Sequence, residues 1–385
     1  MCKSYNHLFE LLIDRENIRK AILKAFKKKK KLKRVQEILA NIDEHIENIR
    51  NMLLRGEYTP QWHRIVVIPD NANKKLRLAM MPFYERNSKG EVCYEHVVHH
   101  LLVLVLEPIF MKGMYYWSCG SIPRRGGHHG KKHIERYIRE HPKDCRYCYK
   151  SDVYHFYREV DTEILKQKLR KKIHDERFLQ VLFAVIDSNK GKYRGKIISL
   201  GLPIGFYTSQ WLANFFLQDF DHFVKEKLKA KCYTRYVDDK QIFSSNKRKL
   251  REKLEKIKEF LSKENLSLKP NYQIFRFSYI DKDGRDKGRP LDFLGFKFFK
   301  NRTTLRKRIL SNILQKACRI FNKTSKGLNI SWYEATQMMS YVGYLNITDT
   351  HTWYTKYIRP RVNFGGLKRI ISHNAKKKGN KNGIC

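Results

Sequence analysis

Tyr236-Val237-Asp238-Asp239 stands between two short runs of strand character, residues 231–236 and 240–244. Adjacent residues on one strand point to opposite faces. In a tight turn, both aspartates can instead project from the tip. A hairpin tip carrying two carboxylates suits a divalent cation, which takes hard oxygen ligands. The same pair in an ordinary solvated turn would have no such role, so the rest of the chain decides between the readings.

The chain has 385 residues and a net charge of +42, from 80 Lys and Arg against 38 Asp and Glu. It is long enough for two or three domains with sizeable cores. A hydrophobic content of 42% with 13% aromatics excludes a disordered basic tail protein. Such a charge excess favours a polyanion, with nucleic acid first and an anionic membrane surface second. The 8 cysteines are scattered, and Cys145-x-x-Cys148 has no second pair at zinc spacing. Reduced thiols fit a cytoplasmic protein. Residues 1–19 lack a secretory apolar core. Residues 97–110, the most apolar run, are interrupted by His99, His100 and Glu107, so they are expected to be too short and too polar to span a bilayer.

Apolar spacing predicts helices over residues 5–26 and 35–54, separated by the basic run 27–31. Residues 64–69 and 76–81 read as strands around a polar loop, and 96–110 as a buried helix. A Gly- and Arg-rich loop, 120–130, leads into a helix near 131–139. Residues 145–153 read as a strand, 162–188 as helix, 190–196 as a basic turn, and 210–227 as an apolar helix. Beyond the aspartate hairpin come an amphipathic helix over 247–263, a strand over 266–277, a charged loop over 281–289 and a strand over 291–299. Residues 306–357 read as mostly helical and 374–385 as a disordered basic tail. This order predicts an α+β core between helical modules.

A nucleotidyl-transfer centre with two metal ions needs carboxylates from distant segments converging on one point. Asp152 supplies the second segment, closing the strand-like run before Val153 and lying 86 residues before Asp238 (238 − 152). Asp161 follows Arg158-Glu159 at a helix start, where an N-cap role is expected.

With these residues in place, the chain resembles a reverse transcriptase of the prokaryotic group that includes group II intron and diversity-generating retroelement enzymes. The resemblance covers roughly residues 60–350 and rests on motifs in family order. Asp152-Val153 with Phe156-Tyr157 resembles the first catalytic motif, and Tyr236–Asp239 the second. Leu291-Asp292-Phe293-Leu294-Gly295-Phe296 resembles the primer grip, Leu104–Phe110 a fingers signature, and Ser340–Leu345 the end of the thumb. The resemblance implies a right-hand polymerase fold. Its parts would be a basic helical extension (1–60), fingers (61–143), palm (144–300, with fingers and palm helices over 162–227), helical thumb (301–360) and basic tail (361–385).

Roles follow residue by residue from the resemblance. Asp152, Asp238 and Asp239, with the Val153 carbonyl, would hold two Mg²⁺, or Mn²⁺ in their place. Phe156 and Tyr157 would lie at the nucleotide, with Tyr157 excluding a 2′-hydroxyl. Lys75 and Arg77 would hold the triphosphate, since a guanidinium matches phosphate oxygens. Lys269 would supply a proton to pyrophosphate. Leu294, Gly295 and Phe296 would grip the primer, and Arg124, Arg125, Gly126 and Gly127 would contact template RNA. His128-His129 has no acidic or thiol partners nearby in the sequence that would suit a metal, and His99-His100 fit a core or template-facing position.

The segment from Leu202 to Gln210 discriminates within the family. Most relatives carry Gln-Gly-x-x-x-Ser-Pro, whereas this chain has Ile204-Gly205-x-x-x-Ser209-Gln210, a form that resembles the diversity-generating retroelement enzymes. With Ile204 in place of an amide beneath the incoming nucleotide, the resemblance implies lower fidelity, especially opposite template adenine. That role would bring a small basic accessory protein forming a ring, template RNA, cDNA and deoxynucleotides as partners, in the cytoplasm of a bacterium or phage host and away from membranes. A defence-associated reverse transcriptase is the alternative, and a non-catalytic RNA-binding protein on the same fold is a third reading. Glu85-Arg86 and an apparent insertion over 87–95 depart from the family pattern. The short stretch after the thumb leads us to expect no endonuclease domain, and the motif pairs usual in retron enzymes are missing from the sequence.

Overall fold

The computed structural model of the chain describes residues 4–61, 63–70, 75–80, 90 and 92–382; the side chains of Lys75 and of residues 70 and 376–382 lie outside the described set. Helices and mostly antiparallel strands mix in an α+β fold. One four-stranded sheet runs in the order Lys75–Met80, His63–Asp70, Lys190–Tyr193, Lys196–Ser199. A second runs in the order Cys232–Tyr236, Asp239–Ser244, Tyr147–Ser151, Gln273–Arg276. By contact density the chain divides into two compact units. Residues 1–126, 150–242 and 248–273 form the first, and 127–149, 243–247 and 274–385 the second.

The first unit is organised by the helix Glu95–Gly113, which buries apolar side chains around most of its circumference. Arg15–Phe26 and Tyr207–Phe216 pack against it, with Phe110 and Phe215 stacked at 4.4 Å. By length and composition this helix could cross a membrane, contrary to the expectation for residues 97–110; here 61% of its apolar window is buried inside the protein. The helix expected over residues 5–26 breaks at Asp14, whose carboxylate caps Arg15–Phe26 by accepting from the Asn17 amide. The helix expected over residues 35–54 divides at Asn41, without a side-chain cap, into Lys33–Ala40 and Ile42–Leu54. Asp161 accepts from the amides of Glu163 and Ile164, so it is the N-cap expected of it. Asp175 caps a separate helix, Glu176–Asp187, splitting the one expected over residues 162–188.

The basic turn expected over 190–196 is a hairpin that joins the first sheet. His63 pairs with Gly191 in parallel register. Glycine is required there, because a Cβ would lie 2.7 Å from the Met80 side chain and 2.8 Å from the His63 carbonyl oxygen. Ile65, Met80, Leu200 and Phe206 form the core that this sheet covers. The strand expected over 266–277 is confined to Gln273–Arg276.

In the second unit, Leu291–Phe293, Phe296–Phe298 and Thr303–Leu305 form an antiparallel sheet. The run expected as one strand over 291–299 therefore turns at Leu294-Gly295, where both residues have positive φ. The charged loop 281–289 carries one half of a small two-stranded pairing, Tyr279–Ile280 with Asp286–Lys287. Helices Lys307–Ser325, Trp332–Asn346 and His351–Tyr357 follow, the second opened by a capping box of Ser331 and Glu334. The tail expected to be disordered from 374 continues the helix Phe364–Asn382.

Candidate active site

Cys232–Tyr236 and Asp239–Ser244 are the two arms of a hairpin whose tip is Val237-Asp238. Val237 has φ +57°. A β-branched residue in the left-handed region is strained, and such strain persists only where surrounding contacts hold it. Those contacts lie behind the turn. Arg235, 1% exposed, donates from Nη1 to the Val237 carbonyl oxygen at 2.8 Å. Its Nε and Nη2 grip Asp221 in a bidentate pair at 2.8 and 2.6 Å, and Tyr233 donates its hydroxyl to the same carboxylate at 2.7 Å. Asn214 accepts from Arg235 and donates to the Gly120 carbonyl oxygen at 2.9 Å. Gly120 lies so close that a Cβ would sit 2.4 Å from the Val237 side chain and 2.7 Å from its backbone nitrogen.

Asp152 follows the strand Tyr147–Ser151, and antiparallel bridging of Val153 with Leu268 places it in front of the turn. Its carboxylate pairs with the Lys269 ammonium, while its backbone carbonyl oxygen accepts from the Lys269 amide at 2.9 Å. Asp152 and Asp238 hydrogen-bond through their side chains. Burial, and then the Asp152 charge, push Asp238 well above the ordinary carboxylate range. In Asp152 burial acts upward, but the bonds from Asp238 and Lys269 outweigh it and hold the group low. Asp239 faces Lys150 at 3.8 Å. Behind the turn Lys240, 1% exposed, donates to the Asp238 carbonyl oxygen at 3.4 Å, and burial lowers its pKa to about 8.

Tyr157 joins this group. Burial and then the Asp238 charge raise its pKa, and Arg77 is among the charges acting on it. Its carbonyl oxygen accepts from the Leu202 amide at 2.7 Å. Gly201, with φ +34°, permits that approach, since a Cβ would meet the Tyr157 and Arg158 carbonyl oxygens at 2.7 and 2.6 Å. The Ile204 carbonyl oxygen accepts from the Met80 amide at 2.9 Å. Thus the strand bearing Arg77, the Ile204 segment and Tyr157 are tied together. Gly205 and Gln210 are exposed and Ser209 is buried.

The remaining residues singled out in the sequence lie in a variety of surroundings. Phe156 is 2% exposed and packs on Phe216, which makes it a core residue. Arg125 donates to the Tyr115 carbonyl oxygen at 3.0 Å and lies over the Tyr116 ring, while Arg124 and Gly126 are exposed. Gly127 opens the helix Gly127–Glu140 and lies in van der Waals range of Leu294. Phe296 is 1% exposed, with Lys131 over its ring, and His128 packs edge-on against Tyr344 at 5.2 Å. His99 is wholly buried and hydrogen-bonded to Thr208 at 2.9 Å. The Lys75 side chain, Glu85, Arg86 and the first residues of the insertion lie outside the described residues. Sequence reading missed Gly120, Asn214, Asp221, Arg235 and Lys240. The one available signal was Arg235 and Lys240 flanking the turn in otherwise apolar strands.

Asp152 and the Val237-Asp238 turn lie at the ends of neighbouring strands, so carboxylates from two distant segments meet at one place. The family model "Reverse transcriptase (RNA-dependent DNA polymerase)" matches residues 94–298. That is more than half of the chain, which belongs to this family. Protein YkfC of Escherichia coli (strain K12) is 26% identical over 196 residues, covering 49% of this chain and 47% of that protein. Among solved structures, an apo telomerase from Candida tropicalis truncated from its C-terminal domain is similar at 13% identity and TM-score 0.46, over 64% of this chain and 56% of that one. A Candida albicans telomerase in complex with a fragment of telomeric RNA is similar at 12% identity and TM-score 0.47, over 78% and 55%. The chain spans about half the length of the relatives it matches.

Proposed function

We propose that this chain is an RNA-directed DNA polymerase that extends a primer along an RNA template. The observation that carries the reading is the convergence of Asp152 and Asp238 within hydrogen-bond reach, with Asp239 next in the chain and Tyr157 close enough to feel the Asp238 charge. An all-carboxylate oxygen set suits a hard divalent cation. Two half-buried carboxyls held in hydrogen-bond contact are a site that a cation would relieve. Among the described residues, no three acidic, histidine or cysteine side chains already converge as a metal cage. Asp152 and Asp239 are instead paired with Lys269 and Lys150, and these pairs must open for ions to enter.

Asp152, Asp238 and Asp239 would hold the ions, with Mg²⁺ as the ordinary occupant, Mn²⁺ as a substitute and the Val153 carbonyl as a further ligand. When bound, divalent ions neutralise the nucleotide phosphates and lower the pKa of the attacking 3′-hydroxyl. Tyr157 orders the sugar pocket and excludes a 2′-hydroxyl. Arg77, with Lys75, clamps the triphosphate, and Lys269 stands on Asp152, ready to move toward pyrophosphate. Arg124 and the backbone at Gly126 and Gly127 follow the template, and Leu294 and Gly295 at their turn steady the primer. The segment boundaries at residues 60, 143, 300 and 360 separate the helical extension, fingers, palm, thumb and tail in this reading.

Ile204 and Gln210 favour an error-prone enzyme of the diversity-generating retroelement type, working in the cytoplasm with an oligomeric basic accessory protein. A defence-associated enzyme shares the same centre, and a near-identical repeat pair beside the gene would separate the two. The test is primer extension on RNA with Mg²⁺ and deoxynucleotides. Activity is expected to vanish in the Asp238→Ala, Asp239→Ala double variant; extension that survives it sinks the site assignment.

A further inference from the structure

Lys240 directly follows the aspartate pair, and the activity proposed above gives it no task. Alternation along the strand puts Lys240 with Ile242 on the face opposite Asp239 and Gln241. Lysine is almost never fully buried unless paired, yet Lys240 is 1% exposed. Its ammonium reaches back to the Asp238 carbonyl oxygen at 3.4 Å and lies 5.4 Å from the centre of the Phe220 ring. It makes no salt bridge with a carboxylate among the described residues. Arg235, the other cation bracing the turn, is neutralised by Asp221. The Lys240 charge is thus uncompensated by a close partner, and the anions within its field are Asp238, Asp152 and Asp239.

We propose that Lys240 is a fixed counter-charge that weakens the hold of Asp152, Asp238 and Asp239 on divalent ions, setting a high ion requirement. The inference rests on the metal-binding reading above. A buried unit charge acts on its neighbours through a medium of low effective dielectric, so across a few ångströms it shifts the affinity of a doubly charged ion by about tenfold or more.

The experiment is titration of the intact chain with Mn²⁺ at neutral pH, without nucleic acid, read by the electron paramagnetic resonance of free Mn²⁺. Thermal melts are run in parallel. Lys240→Met removes the charge and keeps the volume. Lys240→Gln removes the charge and keeps a donor for the Asp238 carbonyl. Both variants are expected to melt at or above the parent temperature, because burying a charge without a close partner is costly and the neutral side chains avoid that cost. Both are expected to bind Mn²⁺ about tenfold or more tightly. A folded variant with equal or weaker affinity overturns the proposal. So does a Gln variant that behaves as the parent while Met differs, since the hydrogen bond would then be the cause. Unfolding of both variants also overturns it. A purely structural role predicts lower melting temperature and weaker binding, the opposite signs. In the Asp152→Asn, Asp238→Asn control, Mn²⁺ binding should be lost. Binding that persists there refutes the metal site itself, and the lysine inference with it.

Discussion

The Asp221–Arg235 pair allows the stability of the fold to be separated from the geometry of the turn. Both side chains are inaccessible, at 0% and 1% exposure, and they are joined by two charge-assisted bonds at 2.8 and 2.6 Å. Asp221→Ala would strand the guanidinium in the interior. Breaking a buried pair from one side costs ~3–5 kcal/mol, and the Tyr233 hydroxyl would lose its acceptor as well, adding ~1 kcal/mol or more. The combined Asp221→Leu, Tyr233→Phe, Arg235→Met variant removes the carboxylate, the hydroxyl and the guanidinium together, leaving only the Asn214 and Val237 acceptors without their donor. Its stability should return to within ~1–2 kcal/mol of the parent, because apolar replacement of a buried pair is often neutral or better. The Val237 carbonyl oxygen would still lose its 2.8 Å donor, leaving the strained φ of +57° without its brace. Misplacement of catalytic groups by about 1 Å can cost ~100-fold, so single-turnover primer extension should fall by roughly that factor in a stable protein. Urea unfolding and rapid-quench extension on the same preparations make the comparison. A combined variant that is as stable as the parent and extends at the parent rate refutes the positioning argument.

Acid should unfold the protein through its buried histidines. Burial, with His100 and Lys29 adding to it, holds His96 at about 3, and burial with Lys24 holds His100 at about 4. His99 is lowered as well, by burial first. Below the unfolded value of 6.5 the unfolded chain takes up protons that the folded chain refuses, so stability is complete above that pH and falls toward the folded values. At pH 5 the loss is ~2 kcal/mol for each of His96 and His100, and the urea midpoint of a His96→Phe, His100→Phe variant should depend less on pH between 7 and 5. Gly120→Ala places a methyl against the Val237 backbone; overpacking of ~1–3 kcal/mol and a large loss of extension are expected, and a parent-like Tm and rate would contradict the close fit. Ile204→Gln should lower misincorporation opposite adenine, measured by sequencing cDNA; unchanged adenine errors would remove the fidelity argument. These histidine and glycine variants are measured on the intact chain by circular dichroism.

Much of this was legible in the amino-acid order. The aspartate hairpin, Asp152, the Asp161 cap and the amphipathic Lys247–Lys263 helix follow from spacing and local propensity. Helix breaks were less visible, because Asp14 and Asp175 interrupt periodic apolar runs by capping, a local bond that periodicity does not register. The hairpin within residues 190–199 hid behind its charge, since pairing to His63 through Gly191 depends on a strand far away in sequence.

The sequence by itself determined the chemistry available: which carboxylates exist, their order, and the turn that presents two of them. Tertiary structure decided what surrounds them. Asp221, Asn214 and Gly120 reach the turn from other segments, and packing sets the Phe156 ring against Phe216. Burial, which no local pattern encodes, turns Arg235 and Lys240 from ordinary strand cations into charges held at the back of the acidic centre. An electrostatic environment is a sum over neighbours in space, and the chain order names only the neighbours in sequence.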